Sequence, residues 1–220
     1  QTLFSPIGQQ GQEKIRSSRV TIIGCGALGS VSSEMLTRAG IGHLKLIDRD
    51  FVEENNLQRQ SLFTEEDVRE GLPKVIALQR ALQKINSDVS TEVNIEDLNS
   101  DNIGQLCQDS HLILDGTDNF ETRFLINDFS VKKSIPWIYG ACVGSYGVSL
   151  AFQPKVTACL QCLFDQTPEI GTVDTCDTVG ILSPVVHVVS AYQVAQVMKL
   201  LVGQPPTTKI LKVDVWKGIW

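Results

Sequence analysis

The chain has 220 residues, of which 42% are apolar and 20% charged, and its formal net charge is −6. This length allows one sizeable hydrophobic core and leaves little room for two full domains. The acidic balance argues against a protein that coats nucleic-acid phosphates, and no apolar run approaches the roughly 18 residues of a membrane span. Six cysteines are too few for a disulfide scaffold, so a reducing cytoplasm is the expected compartment. Because the first residue is Gln, we expect a piece of a longer protein.

The first half of the chain alternates buried strands with helices. Val20–Ile23 is a β-branched run that stops at Gly24, which is typical of a buried parallel strand. A helix is expected over Ser30–Arg38, and the next strand, His43–Ile47, delivers Asp48 at its carboxyl end. Two further helices are predicted over 8–19 and 72–85, the second from its apolar spacing.

The second half continues the same pattern and then changes it. Leu112–Leu114 is a third buried strand that ends in Asp115, whereas the alternation in Gly144–Phe152 favours an antiparallel strand. The other predicted elements are a helix over 121–133, a strand over 136–139, a long helix from Pro184 to near Gly203, and an edge strand over Lys209–Val215. These elements predict a single α/β domain over 1–220. Its sheet should be Rossmann-like, doubly wound and mainly parallel, continued by antiparallel strands, with helices on both faces.

A glycine-rich turn joins the first strand to the first long helix. Its spacing is Gly24-x-Gly26-x-x-Gly29, and Asp48 follows at about the distance where a ribose-binding acid is found in dinucleotide-binding folds. On these residues alone, an enzyme that binds NAD or FAD is the favoured interpretation. The alternative is a glycine turn that only packs helix against strand.

Charged residues further along favour phosphate chemistry over redox chemistry. Arg59 follows the second strand in DRDFVEENNLQRQ, Lys74 begins a helix in GLPKV, and Asp118 follows the third strand in LILDGTDN. Because these segments leave the carboxyl edge of one predicted sheet, we expect them to meet in one crevice. Two cations and a carboxylate around a phosphate pocket suit phosphoryl or adenylyl transfer, since cations stabilise charge on phosphates and an acid can hold Mg²⁺. The alternative for Arg59 and Lys74 is a solvated surface position.

The run from GxGxxG through DxDxVxxxNLQRQ, PK and DxTDN resembles the ThiF/MoeB/HesA family of ubiquitin-activating-enzyme-like adenylyltransferases. The resemblance implies that ATP and Mg²⁺ are used to adenylate the C-terminal glycine of a ubiquitin-like sulfur-carrier protein ending in Gly-Gly, for thiamine or molybdopterin biosynthesis. It assigns 1–140 roughly to nucleotide binding and 141–220 to carrier binding. It also implies a homodimer and leaves open a sulfur donor protein as a further partner. The arginine that family members carry immediately before the residue matching Gln1 is absent from this chain, so the arginine finger is unassigned.

Carried over residue by residue, the resemblance implies a set of nucleotide ligands. Those that would bind the nucleotide are Gly24, Gly26, Ala27, Asp48, Asn55, Asn56, Arg59, Lys74, Asp118 and Asn119. Asp48 would bind the ribose, Arg59 and Lys74 would act on the triphosphate, and Asp118 would hold Mg²⁺. Ala27 stands where many members have another glycine. Two alternatives remain: a tRNA-modifying dehydratase of the same fold, disfavoured by the acidic charge, and an NAD-dependent oxidoreductase, which has no use for Arg59, Lys74 and Asp118 together.

Three cysteines fall in the aperiodic stretch 154–183. Cys159-x-x-Cys162 has the spacing of two Zn²⁺ ligands, and the family typically supplies a second such pair near its C-terminus, here beyond Trp220. A redox dithiol and two ordinary thiols are the alternatives. Cys176 lies in DTCDTVG, which corresponds to the family's crossover loop over the carrier tail. It is either a nucleophile toward the carrier or an inert loop residue. The absence of flanking basic residues favours the second, because nothing nearby would stabilise the thiolate.

Overall fold

The computed structural model describes residues 1–164 and 179–220. The strands of this part are β1 Arg19–Ile23, β2 His43–Ile47, β3 Ser90–Asn94, β4 Leu112–Asp115, β5 Trp137–Val143, β6 Tyr146–Phe152 and β7 Leu211–Asp214. Its α-helices are α1 Gly8–Arg16, α2 Ala27–Arg38, α3 Glu65–Arg69, α4 Lys74–Ile85, α5 Ile103–Cys107, α6 Phe120–Lys133, α7 Leu160–Leu163 and α8 Ser183–Leu201. A 3₁₀ turn covers Glu54–Asn56.

The strands form one sheet in the order β3-β2-β1-β4-β5-β6-β7. The first five positions are parallel, whereas β6 and β7 run antiparallel to their neighbours. Ile23 at the end of β1 lies opposite Ile47 of β2 and Asp115 of β4. The three central strands therefore end at the same level, and the segments that follow them start from one edge.

Successive strand residues point to opposite faces of the sheet, and each face has its own core. Ile22 and Leu46 pack with α2, α4 and α8 on one face, whereas Ile23 and Ile113 pack with α5 and α6 on the other. The two helices α2 and α8 approach closely because α2 carries small buried residues, and the Ser190 hydroxyl donates to the Leu28 carbonyl at 3.2 Å. The doubly wound, mainly parallel α/β fold with an antiparallel continuation is thus confirmed.

Several details differ from the expectation. The edge strand β3, with the sequence STEVN, was not predicted, because four of its five residues are polar and the strand is only partly buried. The five-residue helix α5 was also missed, since it is too short for a helical period to emerge. Helix α2 begins at Ala27, three residues before the predicted Ser30, directly after the glycine turn. No helix among the described residues is long and apolar enough to cross a membrane.

Candidate nucleotide site

The glycine turn after β1 allows three backbone segments to approach closely. Gly24 has a φ of +84°, and a Cβ built there would lie 2.7 Å from the carbonyl atoms of Gly116 in the loop after β4. A Cβ at Gly29 would lie 1.9 Å from the Gly24 carbonyl oxygen. Only glycine fits such spacings, so Gly24, Gly29 and Gly116 bring helix α2 and the loop after β4 against the end of β1.

The N-terminus of α2 opens into the space above this turn. Gly26 is the N-cap residue, and no side chain among the described residues caps the helix. A Cβ at Gly26 would meet only Gln60 Nε2, at 3.6 Å, among the described residues. Ala27 is the first helical residue. The first-turn amides of this 12-residue helix therefore face a position that an anionic group can approach, where the helix dipole favours negative charge.

Asp48, directly after β2, is held beside the glycine turn by two backbone N–H groups. Its Oδ2 accepts from the Cys25 N–H at 2.7 Å, and its Oδ1 accepts from the Asp50 N–H at 2.8 Å. Burial raises the pKa of the Asp48 carboxyl, and these hydrogen bonds and nearby Lys74 only partly offset that effect. The carboxylate is thus oriented and poorly solvated, as an acceptor for ligand hydroxyls should be.

Lys74 is brought to the same edge by pairing between the segment after β2 and the start of α4. Its backbone N–H donates to the Asp50 carbonyl at 2.9 Å, and its Nζ lies 2.9 Å from Asp50 Oδ2. Phe51 and Pro73 form an isolated antiparallel bridge beside this contact. Lys74 is only 8% exposed, so the structure excludes the solvated surface position considered above.

Arg59 lies on the turn segment between β2 and α3. Its Nη1 donates to the Asn55 carbonyl at 2.9 Å, and the side chain is half-buried. Asn56 is buried and donates to Asn55 Oδ1 at 2.5 Å. The buried side-chain oxygens of Asn56 and Gln60 have no hydrogen-bond partner among the described residues. Gln60 lies in the NLQRQ motif but was not assigned a role from the sequence.

Asp118 and Asn119 follow β4 and are both exposed. Asn119 already has a structural role, because its Oδ1 accepts from the Thr122 N–H at 2.9 Å and caps helix α6. Its Nδ2 donates to Asp118 Oδ1 at 3.3 Å. The exposed Asp118 carboxylate can therefore supply oxygen ligands to a hard cation.

The structure brings several of the predicted residues together at one edge of the sheet. The links are the Cys25–Asp48 hydrogen bond, the Asp50–Lys74 ion pair, the close approach of Gly24 to Gly116, and the position of Gln60, the residue after Arg59, next to Gly26. They define one crevice at the carboxyl edge of β1, β2 and β4, which we call the edge crevice. Two residues behind it, Arg123 and Gln193, were not predicted as part of the site. The periodicity of α6 and α8 does not distinguish them from other helix residues.

The cysteine pair lies apart, at the start of the short helix α7. The Sγ atoms of Cys159 and Cys162 are 3.4 Å apart, and Cys162 is exposed. Burial raises the pKa of the Cys159 thiol, but hydrogen bonds from Cys162 and its neighbours outweigh it and lower that pKa overall. Among residues 1–164 and 179–220 no group of three or more His, Cys, Asp or Glu side chains that could hold a metal ion occurs. Cys176 lies outside the described residues.

Comparison with known proteins identifies the relatives of this chain. The model of the ThiF family matches residues 1–220. The sulfur carrier protein ThiS adenylyltransferase of Bacillus subtilis is 49% identical over 218 residues, which is 99% of this chain and 64% of that protein. The SAMP-activating enzyme E1 of Haloferax volcanii is 35% identical over 202 residues, covering 92% of this chain and 74% of that protein. The chain thus spans less than two-thirds of its B. subtilis relative.

Solved structures give the same picture. A crystal structure of E. coli MccB with ATP superposes with a TM-score of 0.78 at 26% sequence identity, covering 93% of this chain and 66% of that one. E. coli MccB with MccA-N7isoASN superposes with a TM-score of 0.79 at the same identity, and coverage is again 93% and 66%.

Proposed function

Because this chain belongs to the ThiF family, we propose that it is an ATP- and Mg²⁺-dependent adenylyltransferase that activates the C-terminal glycine of a ubiquitin-like sulfur-carrier protein. The observation that carries the proposal is the edge crevice, where an oriented carboxylate at Asp48 and a buried cation at Lys74 flank the open N-terminus of α2. The names of the relatives from B. subtilis and H. volcanii support the same chemistry.

The residues of the crevice divide the work of binding ATP. Asp48 accepts the ribose hydroxyls, and the amides that begin α2 at Gly26 and Ala27 take phosphate oxygens. Lys74 and Arg59 stabilise the negative charge that grows on the phosphates in the transition state. The carrier's terminal carboxylate attacks the α-phosphorus in line. The bond to the bridging oxygen breaks, and pyrophosphate leaves with the electron pair as the acyl-adenylate forms.

Asp118 is the residue proposed to hold Mg²⁺. Its exposed carboxylate fits this role, because Mg²⁺ is commonly bound by one or two carboxylates together with substrate phosphates. The ion supplies neutralisation of phosphate charge when bound. The exposed amide of Asn55 and that of Asn119 would complete the polar surround of the phosphates.

Zinc is proposed at Cys159 and Cys162, as two of four thiolate ligands. Two sulfurs bound at about 2.3 Å to one tetrahedral Zn²⁺ stand about 3.8 Å apart, close to the 3.4 Å found for this pair. The remaining two ligands would come from the second cysteine pair that the family resemblance places beyond Trp220. We also propose, on the same resemblance, a homodimer, a sulfur donor protein as partner and the division into 1–140 and 141–220. The cytoplasmic location is proposed from the small number of cysteines.

Thiamine biosynthesis is the first candidate pathway, because the B. subtilis relative is named for the ThiS carrier. Molybdopterin biosynthesis is the second, since other relatives are named adenylyltransferase and sulfurtransferase MOCS3. A tRNA-modifying dehydratase is less consistent with a net charge of −6. An NAD-dependent oxidoreductase is also disfavoured, because its reaction does not need the buried cation Lys74 at the edge crevice.

ATP–pyrophosphate exchange against candidate carriers ending in Gly-Gly tests the proposal. We expect exchange with a ThiS-type or molybdopterin-type carrier and none with the same carrier lacking its terminal glycine. Calorimetry with ATP and NAD provides a second measurement, in which ATP should bind and NAD should not. Tight NAD binding without ATP binding, or no exchange with any carrier, would overturn the proposal.

A further inference from the structure

A buried ion pair lies beneath the loop that carries Asp118. Asp115 ends β4 and is 0% exposed, whereas Arg123 lies in the first half of α6 and is 4% exposed. Arg123 Nε donates to Asp115 Oδ2 at 3.0 Å. Burial by itself lowers the pKa of the Arg123 guanidinium, but the adjacent Asp115 carboxylate outweighs it and raises that pKa overall. The Arg123 guanidinium therefore stays protonated in the core.

Both members of the pair hold Thr117, the residue immediately before Asp118. The Thr117 N–H and hydroxyl donate to Asp115 Oδ1 at 2.8 and 2.6 Å. The Thr117 carbonyl accepts from Arg123 Nη2 at 2.6 Å. All three polar groups of Thr117 are thus bound by one ion pair, which defines the backbone direction with which the chain enters Asp118.

The ion pair is itself held by two other elements of the fold. Arg123 Nη2 also donates to the Gly140 carbonyl of β5 at 3.0 Å, and Gln193 Nε2 of α8 donates to the Asp115 carbonyl at 2.8 Å. The Arg123 guanidinium lies 5.0 Å from the centroid of the Tyr139 ring. A Cβ at Gly140 would collide with Gln193 Nε2, so β5 and α8 are closely packed at this point.

Stability alone does not explain such a pair. Replacing a buried ion pair by apolar residues of similar volume is often neutral or stabilising, because desolvation offsets the attraction between the charges. We infer that Asp115, Arg123 and Thr117 are positioning residues that hold the Asp118 carboxylate in the orientation needed to bind the divalent cation of Mg²⁺·ATP. This inference rests on the proposed function. It assigns the pair a role comparable to the outer-sphere partners of other metal ligands, whose loss typically lowers metal affinity or activity about 10- to 100-fold.

Two variants weaken or remove the hydrogen bonds between the ion pair and Thr117 without leaving a buried charge unpaired. Thr117→Val deletes the hydroxyl donor to Asp115 and keeps the side-chain shape. The double variant Asp115→Leu/Arg123→Met replaces both charges by apolar groups, and the fold should tolerate it. Ser130→Ala is the matched control, because it removes another buried hydrogen bond of α6, the 2.6 Å contact to the Ile135 carbonyl, on a part of the helix away from the crevice.

Two readouts are needed, and one does not depend on activity. Mn²⁺ binding in the presence of ATP, followed by electron paramagnetic resonance, should weaken about tenfold or more in both variants and stay unchanged in Ser130→Ala. Pyrophosphate exchange should require a correspondingly higher Mg²⁺ concentration, while the KM for ATP at saturating Mg²⁺ changes little. The KM for ATP should change little because the proposed ATP ligands Lys74, Arg59 and Asp48 lie on other segments.

A double-mutant cycle with Asp118→Ala separates positioning from a general structural effect. If Thr117 acts through Asp118, Thr117→Val should have no further effect on Mn²⁺ binding in the Asp118→Ala background. An equal effect in both backgrounds, or no effect on metal binding in any variant, would overturn the inference. If the wild type itself shows no exchange with any carrier, the proposed function fails, whereas exchange with unchanged metal dependence in the variants contradicts only the inference.

Discussion

The ammonium of Lys74 and the carboxylate of Asp50 lie 2.9 Å apart across two segments, with the lysine side chain 10% exposed and that of Asp50 56% exposed. The lysine is therefore held at the edge crevice by a partner that water can reach. An entering phosphate could replace the exposed Asp50 carboxylate as the partner of Lys74 with little movement of the buried lysine. Substitution of Lys74 is therefore the most direct test of the proposed role of the edge crevice.

Lys74→Ala should slow adenylation by about 10²–10³-fold, because one preorganised cation is lost from the transition state. The fold should remain, since the Asp50 partner left behind is solvated. Pyrophosphate exchange measures the rate, and circular dichroism checks the fold. Lys84→Ala, on the exposed last turn of the same helix, should retain full activity. Exchange near the wild-type rate in Lys74→Ala would place the lysine outside the chemistry.

Gly24→Ala should lose nucleotide binding and stability together. A methyl group there meets Gly116 at 2.7 Å in a backbone conformation with φ of +84°, so strain and collision add. Strain of this kind costs about 1–3 kcal/mol. Gly71→Ala, which has φ of +61° but no described atom within 4 Å of its Cβ, reports the strain alone and should cost about 1 kcal/mol. Urea unfolding compares the two, and equal losses would show that the close approach to Gly116 is unimportant.

Adenosine binding should weaken as the pH falls from neutrality through the raised pKa of Asp48. The ionised carboxylate is the stronger acceptor for ribose hydroxyls, and adenosine carries no phosphate whose titration could interfere. The loss can reach about tenfold per pH unit. Asp48→Asn should bind weakly with a flat profile between neutrality and about pH 4. A slope that persists in Asp48→Asn would assign the titration to another group.

The same raised pKa also predicts how Asp48 affects folding. The folded state binds the Asp48 proton more tightly than the unfolded chain does, since burial disfavours the charge. Its contribution to stability is therefore present below the ordinary aspartate range and is lost as the pH rises through the raised value.

The full-length protein should carry about one Zn²⁺ per subunit. Cys159→Ser and Cys162→Ser should each remove it, because a structural zinc site needs all four ligands. Cys107→Ala removes a buried thiol whose pKa burial raises to about 12, and it should leave the metal content unchanged. Elemental analysis of the freshly purified proteins measures their zinc content. Zinc-free wild-type protein would show that Cys159 and Cys162 are ordinary thiols.

Cys176→Ser should retain pyrophosphate exchange, because adenylation needs only the edge crevice and the carrier's carboxylate. If the thiol acts, it attacks the carbonyl carbon of the acyl-adenylate, with AMP as the leaving group, or receives a persulfide from a donor. Sulfur transfer to the carrier is the half-reaction that should fall. Loss of both half-reactions would indicate a structural role for Cys176, and loss of neither would make it a bystander.

Much of the edge crevice could be predicted from local sequence. The run ending at Ile23, the glycine turn and the strand that delivers Asp48 are short-range patterns, each readable from a few residues. Because parallel strands end at one edge of the sheet, these patterns also predict that Arg59, Lys74 and Asp118 lie in one region. Strand β3 has no such local pattern, because four of its five residues are polar and an edge strand buries little of its surface.

The residues behind the crevice depended on tertiary structure alone. Arg123 and Asp115 are separated by a loop, and Gln193 reaches them from a helix near the other end of the chain. The hydrophobic periodicity and the motif spacing of a sequence do not predict that a polar side chain will be buried against a carboxylate from another element. Sequence alone determined which residues leave the edge of the sheet, because strand direction follows from local pattern. Only the packed fold decided that a buried ion pair would hold the loop before Asp118, because that contact forms between elements that are distant along the chain.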